Sequence, residues 1–321
     1  MRARGHSGGR TGGLGPAGLA AAGLAVLGGA AVVAALRARA ARRVEARVAA
    51  RLPLGDDGVV RGAGPVALGT GPGLTVLVLH GFGDTPQSVS ELARHLHAAG
   101  WTVRAPLLPG HGRSARAFAA VRAADWLHAA RDAHAAACRE AGAPVALVGQ
   151  SMGAALAAVL AAEAAGRGER VPALVLLAPY LFAPAGVRWG ARLAPLLALG
   201  VQYLSSDGGA RSIHDARARA EALAPGVVTP HLVRELARVV EIARLALPKV
   251  DAPTLAVLSR QDHRVPAAAG AAAVARVGTQ AARRPVTRLE WLEGSGHVIA
   301  VDRERARVFA LTEAWLRRWA A

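Results

Sequence analysis

Residues 145–160 read Val-Ala-Leu-Val-Gly-Gln-Ser-Met-Gly-Ala-Ala-Leu-Ala-Ala-Val-Leu: a short apolar run, the pentad Gly149-Gln150-Ser151-Met152-Gly153, then an alanine-rich helical pattern. The order is strand, sharp turn, helix, with a serine at the apex. Glycine on both sides suits a turn so tight that neighbouring Cβ atoms find no room. Ser151 would then stand above the strand ends, at the N-terminus of the next helix, where backbone N–H groups and the positive dipole end favour a developing oxyanion. Taken alone, the pentad also fits a plain βα turn built with glycines.

Working outward, Thr75–Leu79 is an apolar run suited to a strand buried on both faces, and it passes straight into His80-Gly81-Phe82-Gly83-Asp84. Pro86–Ala99 reads as a helix, Trp101–Arg104 as a strand, Leu107–Ser114 as a Gly- and Pro-containing loop, and Asp125–Glu140 as the helix before the pentad strand. Beyond it, Ala173–Leu177 is another buried strand. Strands alternating with helices at this spacing predict an α/β fold, a mostly parallel sheet flanked by helices. From about 180 to 250 the pattern holds helical stretches and no strand, which predicts a helical cap inserted at the strand ends. The sheet resumes at Thr254–Leu258, followed by a helix over 267–277, a strand at Thr287–Trp291 and a closing helix over 303–318.

A serine hydroxyl is a poor nucleophile at neutral pH and needs a base within hydrogen-bond reach, itself oriented by a carboxylate. The loop after 254–258 supplies Asp262, and the loop after 287–291 supplies His297. Ser151, Asp262 and His297 thus fall on three strand-following loops in the chain order that goes with a serine elbow. Asp84 and Asp302 compete for the acid position; the first follows a different strand, and the second lies beyond the histidine. His80 and His111 read as braces of glycine loops. His95 and His97, at i and i+2 on a helix, point apart, and no His/Cys/Asp cluster has metal-ligand spacing. Cys138 sits in a helical pattern with no elbow around it.

With those residues in view, the body over about 74–320 resembles the α/β-hydrolase superfamily, and within it the bacterial carboxylesterase and monoacylglycerol-lipase group. The resemblance is carried by His80-Gly81-Phe82, Leu108-Pro109-Gly110-His111-Gly112, the Gly149–Gly153 pentad, Asp262 with Val265-Pro266, and Ser295-Gly296-His297-Val298-Ile299 followed by Asp302. It implies Ser151 as nucleophile, His297 as general base, Asp262 as its orienting acid, and the N–H groups of Phe82 and Met152 as an oxyanion hole. The implied activity is hydrolysis of a small or lipid-derived carboxylic ester through an acyl-enzyme, with no cofactor and no metal. The departure is Gly83-Asp84, where relatives often carry small or hydroxyl residues, and it bears on substrate fit. A thioesterase, acyltransferase or peptidase on the same triad is the neighbouring reading, and a hydrolase-shaped binding module without activity is the distant one. Apolar residues of the cap, Leu193–Leu204 with Trp189 and Tyr203, suit either an acyl-chain pocket or packing onto the sheet.

Charge is uneven along the chain. Lys plus Arg 39 against Asp plus Glu 22 gives +17, and residues 1–51 hold nine arginines and one acid, Glu45, leaving +9 over the remaining 270. No concentrated basic face with interleaved aromatics follows Arg51, which speaks against a nucleic-acid partner. Leu14–Leu36 carries no charge for 23 positions, about the length that crosses a bilayer core as a helix. The expectation is therefore an N-terminal apolar helix anchoring the chain in a membrane through residues 14–36. Ala38-Arg39-Ala40 offers the alternative of a cleaved secretory signal. Arginines after the span outnumber those before it, which places the body on the cytoplasmic side under the positive-inside rule. The division is then a tail at 1–52 and a catalytic domain at 53–321, and removal of 1–51 is expected to release a soluble, active body.

Overall fold

The computed structural model describes residues 16–71, 73–206 and 211–321, with side chains from Gly28 onward. Seven strands form one sheet in the order β1 (Val66–Leu68), β3 (Thr102–Ala105), β2 (Thr75–Leu79), β4 (Ala146–Gln150), β5 (Leu174–Leu177), β8 (Thr254–Ser259), β9 (Thr287–Leu292). Every pairing is parallel except that of the edge strand β1 with β3. The period of two along a strand sorts the core into two layers. Leu77, Leu79, Leu147, Leu174 and Leu176 face α4 (Ala123–Ala141) and α5 (Met152–Gly166), while Val76, Val78, Val148, Val175 and Val257 face α2 (Ser90–Ala98) and α10 (Arg305–Ala320). Both faces are covered, so β2 and β4 are largely apolar with no exposed position.

Register sets the carboxyl edge of the sheet. Leu79 stands opposite Gly149, Gln150 opposite Leu177, Leu177 opposite Val257, and Leu258 opposite Trp291. The strands therefore end at nearly one level, and the loops carrying Phe82, Ser151, Asp262 and His297 leave from the same side. In open α/β sheets this is the side where ligands bind.

Between β5 and β8 the chain forms α6 (Ala185–Gly200), α7 (Ala216–Glu221) and α8 (Pro230–Ala246). The expectation of a strand-free insertion is corrected by β6 (Leu204–Ser205) and β7 (Val227–Val228), an antiparallel two-residue pair. A second correction concerns α8. Its Leu232, Val239 and Ala243 are buried in the same cluster as α5, so α8 covers the sheet, and the cap proper is α6 to β7. Thr229 caps α8 by accepting the Leu232 N–H at 3.1 Å, and Pro230 at the first helical position fits its fixed φ. Buried Glu235 on α8 accepts the Ala123 N–H at 3.1 Å and the Arg238 guanidinium at 2.6 Å. Two further short helices, α3 (Ala115–Ala119) and α9 (Ala267–Val274), complete the chain.

The N-terminal helix differs from the expected anchor. α1 (Pro16–Arg51) runs unbroken through the arginine-rich flank and stops where Pro53 restricts Leu52. Residues 14–15 of the predicted span, and the side chains through Leu27, lie outside the described residues. Among the described residues no helix is long and apolar enough to cross a membrane. The last turns of α1 are packed onto the body: Val48 and Leu52 are buried with Val59, Val60, Ala63 and Ala115, and Val44 lies against them. The Tyr203 hydroxyl donates to Glu45 at 2.8 Å, and Arg51 donates to the Ala224 carbonyl, so these turns also hold the cap.

Cutting at residue 51 therefore strips core. Burial of a valine-sized side chain is worth about 1.5–3 kcal/mol, so losing Val44 and Val48 is expected to lower Tm by about 5–10 °C. Removal of residues 1–40 should leave Tm nearly unchanged. Thermal unfolding of the two truncations, followed by circular dichroism, decides; equal Tm values would return the last turns of α1 to the tail.

Candidate active site

Ser151 sits between β4 and α5 at φ 56°, ψ −114°, a conformation that a residue with a Cβ adopts at a cost of about 1–3 kcal/mol. The elbow exists because both flanking positions are glycine. A Cβ on Gly149 would collide with the backbone of Gly153 and Ala154. A Cβ on Gly153 would stand 2.6 Å from the His80 carbonyl oxygen and nearer still to that of Leu79. The start of α5 thus lies directly against the end of β2, which brings the Met152 N–H beside the His80-Gly81-Phe82 loop. Neither the Phe82 nor the Met152 N–H finds a protein acceptor among the described residues.

The three predicted side chains converge. Ser151 Oγ lies 2.7 Å from His297 Nε2, and His297 Nδ1 lies 2.7 Å from Asp262 Oδ2. The carboxylate partner places the imidazole proton on Nδ1, which leaves the Nε2 lone pair to accept the serine proton. All three are buried, at 9, 4 and 7% exposure for Ser151, His297 and Asp262, so their interactions are little screened by solvent. Burial would push the Asp262 carboxyl up, but the electrostatic pull of the facing His297 ring, its hydrogen bond, and the N–H groups of Val265 and Arg264 together hold it below the usual carboxylate value. Those two N–H groups reach Asp262 Oδ1 at 3.0 and 2.8 Å. The Tyr180 ring meets the His297 ring edge-on at 6.4 Å, and burial raises its phenol to about 12, which keeps it neutral.

The competing acids are engaged elsewhere: Asp84 Oδ1 accepts the Thr85 N–H at 2.9 Å. Asp302 accepts the N–H groups of Gly296, His214, Asp215 and Arg303 at 2.6–2.9 Å. Glu304 accepts those of Glu293 and Gly294 and the Ser295 hydroxyl. These two carboxylates clamp the backbone of the His297 loop, a role that sequence reading missed because backbone partners leave no mark in residue type. The loop is also pressed against the cap: a Cβ on Gly296 would stand 2.6 Å from the Ser212 carbonyl oxygen, which accepts the His297 N–H at 2.8 Å. Gln150 closes the other side, donating to the His297 carbonyl at 3.0 Å.

The remaining histidines brace loops. His80 Nδ1 lies 2.9 Å from the Gly81 carbonyl and Nε2 accepts the Leu108 N–H at 3.1 Å; burial lowers its pKa to about 4, so it is neutral. His111 packs among Phe82, Phe118 and Trp126. His95 pairs with Glu313, and His97 with the Trp101 carbonyl. The Cys138 thiol is pushed up by burial and lies 3.5 Å from His134 Nε2. Among the described residues no group of three His, Cys, Asp or Glu could hold a metal ion. A groove of about 630 Å³ between Arg61, Val66 and Arg94 contains none of Ser151, Asp262 and His297.

The apolar residues of α6 do neither of the two things expected of them. The helix buries Ala191 and Ala194, whereas Trp189, Leu196 and Leu199 are 60, 66 and 69% exposed. Tyr203 is taken up by Glu45 on α1. The cap therefore presents an outward apolar strip.

The chain is 28% identical over 256 residues to a thermostable monoacylglycerol lipase of Bacillus sp. (strain H-257), covering 78% of this chain and 92% of that protein. Among solved structures it is similar to a lipolytic enzyme from the metagenome-derived LipS and LipT study, with a TM-score of 0.69 and 28% identity over 81% of this chain and 99% of that one. It shares its fold with the monoacylglycerol lipase of Paleococcus ferrophilus, with a TM-score of 0.64 and 19% identity over 78% of this chain and 97% of that one. The family model described as Hydrolase_4, serine aminopeptidase S33, matches residues 71–304, and the chain belongs to that α/β-hydrolase family.

Proposed function

We propose that the protein is a serine hydrolase of carboxylic esters, of the carboxylesterase or monoacylglycerol-lipase type. The observation that carries this reading is the continuous relay from Ser151 Oγ through His297 to Asp262, with 2.7 Å at each step. Ser151 attacks the ester carbonyl while His297 Nε2 takes its proton, and the oxyanion turns towards the N–H groups of Phe82 and Met152. His297 returns the proton to the departing alcohol. Water, activated by the same imidazole, then cleaves the acyl-enzyme. Asp262 stays ionised throughout and fixes the imidazole orientation. No cofactor enters these steps.

A fluorophosphonate is expected to label the wild-type protein on Ser151. A panel of p-nitrophenyl esters, acyl-CoA thioesters and aminoacyl amides should show the highest kcat/KM on the oxygen esters. A folded protein that is not labelled would remove the hydrolase reading in favour of a binding module. A leading rate on thioesters or amides would select one of the other acyl-transfer chemistries.

The same reading places the enzyme at a lipid surface. It is supported by the uncharged run 14–36, the exposed Val32, Val33 and Leu36 on α1, and the outward strip of α6, where the Arg192 guanidinium lies 5.4 Å over the Trp189 ring. Arginine-flanked apolar faces with tryptophan suit an anionic interface. The full chain should float with phosphatidylglycerol-containing vesicles, and Trp189→Glu combined with Leu196→Glu should weaken flotation of the chain lacking residues 1–40. Absence of flotation for the full chain would remove the lipid-surface reading.

A further inference from the structure

Asp262 and His297 lie on the loops after β8 and β9, and a hydrogen bond of 2.7 Å joins their side chains. An imidazole held at one nitrogen can still swing about that bond, so its aim at Ser151 depends on how the two loop backbones are held against each other. Residues 211–215 of the cap lie across both loops. On the acid side, the Arg211 carbonyl lies 2.9 Å from His263 Nδ1, and Ser212 Oγ accepts the Arg264 Nε–H at 3.0 Å. On the base side, the Ser212 carbonyl accepts the N–H groups of His297 and Val298 at 2.8 and 3.1 Å, and His214 Nδ1 lies 2.9 Å from the Gly294 carbonyl. A Cβ on Gly296 would also stand 2.8 Å from the Arg211 carbonyl oxygen, so this segment and the base loop meet backbone to backbone.

Four of these contacts close a ring. Asp262 Oδ2 bonds the His297 imidazole, and the His297 N–H donates to the Ser212 carbonyl. The Ser212 hydroxyl oxygen accepts from the Arg264 guanidinium, and the Arg264 N–H returns to Asp262 Oδ1 at 2.8 Å. Ser212, Asp262 and His297 are all buried, where linked hydrogen bonds reinforce one another and a broken one is costly. The guanidinium is the charged member, and charge-assisted bonds are the stronger kind. It also donates to the Ser206 carbonyl at 3.0 Å, which ties it to the cap at a second point. Ser212 and Arg264 take no part in the proton relay, for their bonds end on backbone or on the carboxylate oxygen that the imidazole does not use.

We propose that Ser212 and Arg264 are positioning residues for the base: by bridging the acid and base loops through the cap, they fix the orientation of the His297 imidazole. The effect on rate rests on the ester-hydrolase reading; the ring itself does not. Opening the ring at either residue leaves the 2.7 Å bond between His297 and Asp262 in place but frees the loops to shift against each other. The expected loss is therefore in turnover, with substrate binding little changed.

Rates of the full chain on p-nitrophenyl butyrate, normalised by active-site titration, test the proposal. Ser212→Ala and Arg264→Met are each expected to lower kcat about tenfold with KM within about twofold, since misplacement of about 1 Å costs on the order of 10²-fold and a smaller loss of aim costs less. The double variant should also lose about tenfold, where two independent changes would lose about a hundredfold, because either cut opens the same ring. Ser212→Thr keeps the hydroxyl and should recover most of the rate. Single losses that multiply in the double variant, or a Ser212→Ala rate per titrated site within about twofold of wild type, would overturn the proposal. Should the double variant not fold, the Ala and Thr variants of Ser212 decide, and equal rates for those two would sink it. The proton on His297 Nδ1 gives a readout without turnover: its downfield NMR line should broaden through exchange with water in Ser212→Ala and stay sharp in Ser212→Thr. An unchanged line in Ser212→Ala would remove the ring. A broadened line together with failed fluorophosphonate labelling of the wild type would keep the ring and remove the ester-hydrolase reading instead.

Discussion

Ser151→Ala is expected to lower kcat on an activated ester by about 10⁵–10⁶-fold, with Tm within about 2 °C of wild type. The substitution removes only the hydroxyl. Alanine keeps the Cβ that already stands at φ 56°, and the Gly149 and Gly153 contacts that make room for the elbow are untouched. What disappears is the hydroxyl 2.7 Å from His297 Nε2, so activity and stability separate. His297→Ala should cost nearly as much, and the double variant little more, because residues acting as one unit lose their effect together. Asp262→Asn should cost about 10⁴-fold, since an amide can hold the imidazole in the wrong tautomer. The Asp262 carboxyl is held below the usual range, so its ionised form, and hence this penalty, persists at every pH above that range. Rates on p-nitrophenyl butyrate with active-site titration measure all four. A Ser151→Ala protein retaining a tenth of wild-type activity would transfer the nucleophile's role to another group.

The parts of this site that could be read in the sequence share one property: their chemistry demands a residue type at a fixed place in the local chain. Gly149 and Gly153 are forced by backbone approaches within a few residues or across one strand pair, and the apolar run before them follows from burial on both faces. Asp262 and His297 became legible once the strands preceding them were placed. The rest depended on contacts between distant segments. Asp302 reads as a rival for the acid position, and its backbone role emerges only when the fold brings the N–H groups of 214, 215 and 296 around it. The helical period of α6 gives an apolar stripe but not the side on which it lies, and the stripe turned out to face outward. The end of the predicted span at Leu36 followed the charge pattern. Helix propensity does not stop at arginine, and α1 continues until Pro53. Its last turns became core because Val44, Val48 and Leu52 recur at i, i+4 and i+8, a stripe hidden among arginines.

Gly153→Ala is expected to destabilise the fold by more than about 3 kcal/mol, for this position leaves no outlet for overpacking. The obstructing atoms are backbone oxygens: the His80 carbonyl 2.6 Å from the added Cβ, with the Leu79 carbonyl closer. A side chain in the way can rotate, but the end of β2 is held by its pairing to β3 and β4. Relief must come from sliding α5 away from the sheet, and that motion carries the Met152 N–H away from Phe82. Misplacement of about 1 Å in such a donor pair costs on the order of 10²-fold in rate, so kcat should fall in whatever fraction of the variant still folds. Gly166→Ala, at the other end of the same helix, is the matched control. Nothing lies within 4 Å of the added carbon there, and alanine is favoured over glycine in a helix by about 0.5–1 kcal/mol, so that variant should be as stable as wild type or more so. Denaturant unfolding of the pair isolates close approach from helix propensity. Equal stability of the two would mean that α5 can leave the end of β2 without cost, and the tight elbow would then no longer account for where Ser151 and the Met152 N–H stand.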